Sequence, residues 1–241
     1  APLTASPNGL TLCGIRARGH LMTRRQWIGL AAVLFGVVMF VGIITSGTTP
    51  DRDGSDAAQL YQAYWADEGN ADAAGRGSML LTYVTALLVL MSAGLSWLVR
   101  RLDDGPLPGL VLAAGAASAG AFAAGSALIN GVGVAAAEGG YEADGSAALL
   151  VESIGYYVVT AAMMCAAVMV VAFSLSNRRA RVVPQWTLVL SGLVGLAGLG
   201  GVFTAWIGFM VLPLWAVVMG VCLLATKESA PVDATQETAS V

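Results

Sequence analysis

The chain has 241 residues, of which 57% are hydrophobic and only 11% charged, with a formal net charge of −3 and a mean hydropathy of +0.74. A water-soluble domain carries about 25% charged residues, so composition excludes an ordinary soluble enzyme. That net charge is small and says nothing about nucleic acid; no such partner is expected.

A hydrocarbon layer about 30 Å thick needs about 20 apolar residues per helix. Charge-free runs of that order recur along the chain. In lipid every backbone N–H and C=O has to be satisfied within the segment, which makes helices the default. The expected fold is all-α: a polytopic bundle of six transmembrane helices plus a short extracytoplasmic amphipathic helix. Cys13, Cys165 and Cys222 form no CxxC pair and two of them fall in apolar runs, so neither a disulfide framework nor a zinc site is read.

Residues 1–21 are polar and unpatterned. The Met22-Thr-Arg-Arg-Gln-Trp sequence that follows reads as a natural beginning, so residues 1–21 are expected to be disordered or a non-native extension and are set aside from fold reasoning. A single membrane domain is expected over 22–225. The first span is placed at 27–46, behind Arg24 and Arg25, with Trp27 at the interface where aromatic belts form. The apolar run is too long for the core of a cleaved signal peptide.

The loop Gly47–Gly77 carries six acids against Arg52 and Arg76. Within it Asp56–Glu68 has a helix signature: Asp56 and Gln59 suit a capping box and Gly69 a stop. Leu60, Tyr61, Tyr64 and Trp65 share one face, which predicts a short helix lying on the membrane surface or capping the bundle.

The second span is placed at 78–99, ending at Arg100 and Arg101. The third, 108–134, is rich in small residues. Ala113, Ala116, Ala117, Gly120 and Ala124 recur at three- and four-residue spacing, which lets helix backbones approach closely and predicts a central position. After the acids Glu138, Glu142 and Asp144 comes the fourth span, 147–176. From Val182 to Thr226 there is no charge. As one helix that run would be about 67 Å long, so it is read as two, 183–202 and 204–225, broken after Gly200-Gly201. Pro213 should kink the last. Residues 226–241 read as a disordered cytoplasmic tail.

Six spans put every arginine cluster on one side and both acidic loops on the other. Because cytoplasmic loops carry the Lys/Arg excess, both termini are expected in the cytoplasm and the protein in the plasma membrane.

Three short motifs point to a family. The Ser46-Gly-Thr-Thr-Pro-Asp51 segment, the Tyr61-x-x-Tyr64-Trp65-x-Asp67 helix and the Val183-Pro184-Gln-Trp186 opening resemble a group of six-helix actinobacterial membrane proteins with no assigned activity, over roughly Arg24–Leu224. The position before the tryptophan is often basic in that group and is Gln185 here. The resemblance implies six spans and no particular chemistry.

Glu152 is the only ionisable acid inside an apolar span. An intramembrane acid is costly and defaults to a functional hypothesis; Tyr156 and Thr160 continue its helix face at i+4 and i+8. The candidate proton or ligand site is Glu152, Tyr156, Thr160 and Asn130. The competing reading is an interfacial carboxyl that is hydrated or bonded to Tyr83, Asn130 or a backbone amide. The Leu60, Tyr61, Tyr64 and Trp65 face is the candidate lipid or partner surface, the competing reading being an aromatic belt.

Met163, Met164 and Met169 read as core filler rather than a copper site. Haem has no histidine within any span to bind it, and serines such as Ser153 have no neighbouring histidine base. Glycines 192, 195 and 198 are read as packing positions, not a phosphate loop. No cofactor, metal or catalytic residue is assigned. Membrane lipids and a second membrane protein are the expected partners. An accessory, partner-binding role is the leading expectation, with a small-solute or proton-coupled transporter using Glu152 as the alternative.

Overall fold

The computed structural model describes residues 22–101, 103–139 and 144–225. The segments 1–21 and 226–241, with their expected disorder, lie outside the described residues. The helices are α1 (Arg24–Thr45), α2 (Ala57–Trp65), α3 (Glu68–Arg100), α4 (Leu107–Gly139), α5 (Gly145–Ala180), α6 (Thr187–Leu199) and α7 (Ala205–Ala225), with a 3-10 turn at Gly201–Phe203. Among the described residues the structure is all-helical, and α1, α3, α4, α5 and α7 are long and apolar enough to cross a membrane. The 13 residues of α6 are apolar but short, so the span expected over 183–202 is trimmed at both ends. Pro184 has no N–H to give and sits in the turn that opens the helix, where its carbonyl accepts from the Thr187 amide. The Gly200–Thr204 turn then reverses the chain, with the Thr204 hydroxyl donating to the Ala197 carbonyl at 2.6 Å.

Helix starts follow local capping chemistry. Thr23 and Gln26 form a reciprocal capping box on α1. Asp56 makes no side-chain cap on α2, so the capping box expected with Gln59 does not form. Asp67 instead caps α3, accepting from the Asn70 amide at 3.1 Å. Gly69 therefore lies in the first turn of α3 rather than stopping α2, and α3 begins ten residues before the apolar run at Ser78. Asp144 caps α5 through the amides of Ser146 and Ala147.

Six helices close a ring in the order α1, α3, α4, α5, α6, α7 and back to α1, while α2 lies on the start of α5. Every ring neighbour is antiparallel, as paired contacts show. Ser96 of α3 donates to the Pro108 carbonyl of α4 at 2.7 Å. Ser118 of α4 donates to the Ala162 carbonyl of α5 at 2.8 Å. The Trp215 indole of α7 donates to Ser191 of α6 at 2.9 Å. The ring closes where α1 and α7 touch through glycines: a Cβ on Gly29 would lie 2.8 Å from the Gly220 carbonyl oxygen, and one on Gly36 would lie 2.5 Å from that of Pro213. Only a bare Cα lets the backbones come this near. The interior is filled by Phe35, Met39, Leu88, Met91, Phe122, Met169, Phe173 and Trp215.

The small-residue stripe of α4 is a correction. Ala113, Ala116, Ala117, Gly120 and Ala124 are exposed, and nothing lies within 4 Å of a Cβ built on Gly120. The packed face is Gly115, Ser118, Ala119, Phe122 and Gly125. Helix α4 is a ring member between α3 and α5, not the centre. It is so rich in small residues that spacing alone could not tell the packed face from the outer one.

The three arginine clusters meet at one end. Arg24 and Arg101 both approach the Trp97 ring, at 5.6 and 4.1 Å from its centroid. The Arg25 guanidinium donates to the Val182 carbonyl. Asn177 holds the α5–α6 connection by accepting from the Val183 amide at 3.0 Å, and Gln185 donates to the Asn177 carbonyl at 3.2 Å. The acidic loop after α1 and the start of α5 meet at the opposite end.

Candidate functional site

Ring geometry creates an opening at that opposite end. At 1.5 Å per residue α5 is about 54 Å long and α6 about 20 Å. Gly198 of α6 already faces Met163 and Ala167 of α5, so the first half of α5 extends beyond its α6 neighbour. There a cavity of about 1020 Å³ lies between the end of α1, the loop 47–53, α4, α5 and the start of α7. Ile43, Leu81, Ile129, Val159, Phe209 and Met210 make its apolar wall. Ser126, Asn130, Ser153, Tyr156 and Thr160 give it a polar side, and Thr49 and Arg52 of the loop lie across it. Tyr157 and Trp206, exposed by 68% and 69%, stand in its outer wall.

Three of the four residues singled out from sequence line this cavity: Asn130, Tyr156 and Thr160. Asn130 is buried and donates to the Ser126 carbonyl at 3.0 Å. Thr160 donates to the Tyr156 carbonyl at 2.9 Å, and the Tyr156 ring carries the Arg52 guanidinium 3.4 Å from its centroid. Glu152 sits one layer back, 1% exposed, and is absent from the cavity wall formed by its neighbours Leu149, Ser153 and Thr49. Its bonded partner is neither Tyr83, which is exposed, nor Asn130. The Thr49 hydroxyl donates to Glu152 Oε1 at 2.8 Å, across 103 positions of sequence. The Tyr61 hydroxyl also lies within hydrogen-bonding reach of this carboxyl, whose second oxygen, Oε2, is buried.

The aromatic face of α2 is also corrected. Leu60 is 45% exposed, but Tyr61 is fully buried, Trp65 nearly so, and Tyr64 half-buried. Tyr61 and Trp65 form a small second core with Ala74 and Ala148, and Tyr64 meets Trp65 edge-on at 4.8 Å. Tyr61, Tyr64 and Trp65 therefore face the bundle, while Leu60 stays exposed. An amphipathic helix buries its aromatic face on whatever apolar surface is nearest, and here that is the start of α5.

The Trp65 indole N–H is buried without a hydrogen-bond partner, whereas the Tyr61 hydroxyl lies within hydrogen-bonding reach of Thr49 and Glu152. Thr49, Arg52 and Glu152 are the polar neighbours of Tyr61. Burial, with the negative charge of Glu152 adding to it, pushes the Tyr61 phenol up to about 12 against the opposing pull of Thr49 and Arg52. Burial and Glu152 push Tyr64 upward as well. The neutral phenol is the folded form, so its contribution to stability is intact below its ordinary value near 10 and is lost as pH climbs from 10 through 12. In absorbance at 295 nm, one tyrosine should ionise only near pH 12. Tyr61→Phe should remove that late step; an unchanged titration curve would contradict the burial.

Thr49 and Arg52 were not singled out as site residues, although Thr49 lies in the Ser46–Asp51 segment quoted for its resemblance. No periodicity links a loop threonine to a carboxyl four helices later. Comparison with protein-family models, with curated proteins and with solved structures finds no match to this chain.

Proposed function

We propose that this is a six-crossing plasma-membrane protein, both termini cytoplasmic, that admits an amphiphilic small molecule into its bundle sideways from the outer leaflet. The observation that carries the reading is the cavity at the flank where α6 falls short. Its size is at the upper end of the range for small-molecule sites, about 300–1,000 Å³, and it pairs an apolar wall with polar groups gathered at the loop. Strict antiparallel alternation around the ring and the gathering of arginines at one end support six crossings with that end inside. α6 would then be a short crossing. Membership of the six-helix actinobacterial group is part of the proposal and rests on the quoted motifs.

The reading is nearer to the solute-binding alternative than to partner docking, because the aromatic face that a partner would need is buried. Trp65 provides the test, since it lies in the cavity wall and is 4% exposed. In a variant retaining Trp65 as its sole tryptophan, purified in detergent, a dibrominated amphiphile should quench fluorescence saturably. Ser126→Phe, which adds a ring inside the cavity, should weaken this at least several-fold. Quenching that rises linearly with amphiphile and ignores Ser126→Phe would defeat the proposal.

A further inference from the structure

We infer that an anionic phospholipid of the surrounding bilayer docks on the α1–α3 seam, its phosphate held by Arg24 and Arg101 beside Trp97. This seat lies at the opposite end of the bundle from the cavity and does not depend on it.

Arg24 is the first residue of α1, and Arg101 caps the end of α3. The two helices are antiparallel neighbours, so the arginines arrive at the same level. Both approach one ring, lying 5.6 and 4.1 Å from the Trp97 centroid. Gly94 permits the close packing just inside this level, since a Cβ there would lie 2.6 Å from the Ile28 side chain. An indole face attracts a cation, but it offers no oxygen to a guanidinium N–H, of which each arginine has five. Among the described residues neither guanidinium makes a hydrogen bond or an ion pair. The nearest acid in sequence, Asp103, is engaged elsewhere. One of its oxygens accepts from the Gly105 amide at 3.0 Å and the other from the Ser176 hydroxyl at 3.2 Å. Two like charges gathered at one ring repel, and an anion between them removes the repulsion and takes the donors. Paired guanidiniums of this kind suit a phosphate.

The surroundings select a lipid, and an anionic one. Counting back from Arg101, residues 97, 93, 90 and 86 of α3 recur at three- and four-residue spacing and so share a face. Ala86, Leu90 and Ala93 on that face are exposed. On α1, Trp27 and Leu34 follow Arg24 by three and ten residues and are 58% and 41% exposed. Both apolar stripes start at the arginines and run toward the middle of the bundle, where acyl chains lie. A soluble phosphate has the right charge but leaves the stripes unused. Arg100, Arg178, Arg179 and Arg181 are exposed at the same end, with Asp104 the exposed acid beside them. A choline head group would bring its ammonium into this positive field, whereas an anionic head group brings none. Basic sites between helices recruit anionic lipid head groups in this way.

Native mass spectrometry of the detergent-purified full chain reads the seat directly. Given equal amounts of dioleoyl phosphatidylglycerol and dioleoyl phosphatidylcholine, the protein should retain the former at least fivefold over the latter. Arg24→Gln combined with Arg101→Gln should abolish that preference. Arg178→Gln combined with Arg179→Gln removes the same charge from the same end and should leave it intact. Arg101→Gln alone, which leaves the start of α1 untouched, should lower the preference at least twofold. The inference is overturned if the unsubstituted protein retains both lipids equally. It is overturned too if the two double variants lose the preference to the same extent, since the charge of the whole end would then be responsible. Displacement of the lipid by equimolar glycerol 3-phosphate would likewise overturn it, by showing a site for a free anion.

Discussion

Gly36→Leu is expected to loosen the closure of the ring and lower the melting temperature sharply. A Cβ at this position meets the Pro213 carbonyl oxygen at 2.5 Å and the Val217 side chain at 2.6 Å. The first is backbone inside α7, and it can yield only if the two helices separate. Overpacking of this kind costs about 1–3 kcal/mol. A chain of this size shifts about 2–4 °C per kcal/mol, so a fall of about 2–12 °C is expected in a thiol-dye or light-scattering melt in detergent. Gly120→Leu is the matched control. Nothing lies within 4 Å of that Cβ, and its melting temperature should be unchanged within error. If both variants melt together, the close approach of α1 and α7 is wrong.

Glu152→Ala should release the loop from α5. The Thr49 hydroxyl loses its acceptor, and the buried Tyr61 hydroxyl loses the carboxyl beside it. Removing one partner of a buried hydrogen bond costs about 1–3 kcal/mol. When opening is fast relative to cleavage, proteolysis follows the population of the open form, and each 1.4 kcal/mol is tenfold. Trypsin should then cut after Arg52 about 5- to 150-fold faster in Glu152→Ala. Glu152→Gln keeps an oxygen acceptor and should fall between the two. Thr49→Val removes the donor from the other side and should accelerate the cut in the same direction. Equal cleavage rates in all four proteins would show that the contact does not hold the loop.

The long helices were legible because lipid imposes a length and an absence of charge that no other solvent does. α1 begins three residues before the predicted span, and α7 one residue after its predicted start. Boundaries set by hydropathy alone went wrong where helix continued in polar sequence. Glu68–Gly77 is helical because Asp67 caps it, not because it is apolar. The converse error occurred at α6, where apolar residues on either side of Thr187–Leu199 belong to turns. Hydropathy reports what a residue dissolves in, not whether its backbone is helical.

The site was half legible. Glu152 stood out by its charge, and Tyr156 and Thr160 by helical spacing from it. What the spacing could not give was direction around the axis: Tyr156 and Thr160 face the cavity, and Glu152 is turned toward α2 and the loop. The aromatic stripe of α2 was found, but a stripe on a short helix between two spans fits an inward or an outward surface equally. Its burial depends on where the start of α5 lies, which is set by the tertiary fold.

The brevity of α6 has a mechanical consequence. In a six-crossing arrangement, thirteen residues cover about 20 Å of a hydrocarbon layer about 30 Å deep. Neighbouring helices exceed that depth, so the bilayer has to pinch on one side of the protein only, at a cost of a fraction of a kcal/mol per Å. Such one-sided thinning draws phospholipid head groups inward beside Trp206. It would favour residence in thinner membranes and give the protein a deformation footprint that sets its orientation toward lipid neighbours.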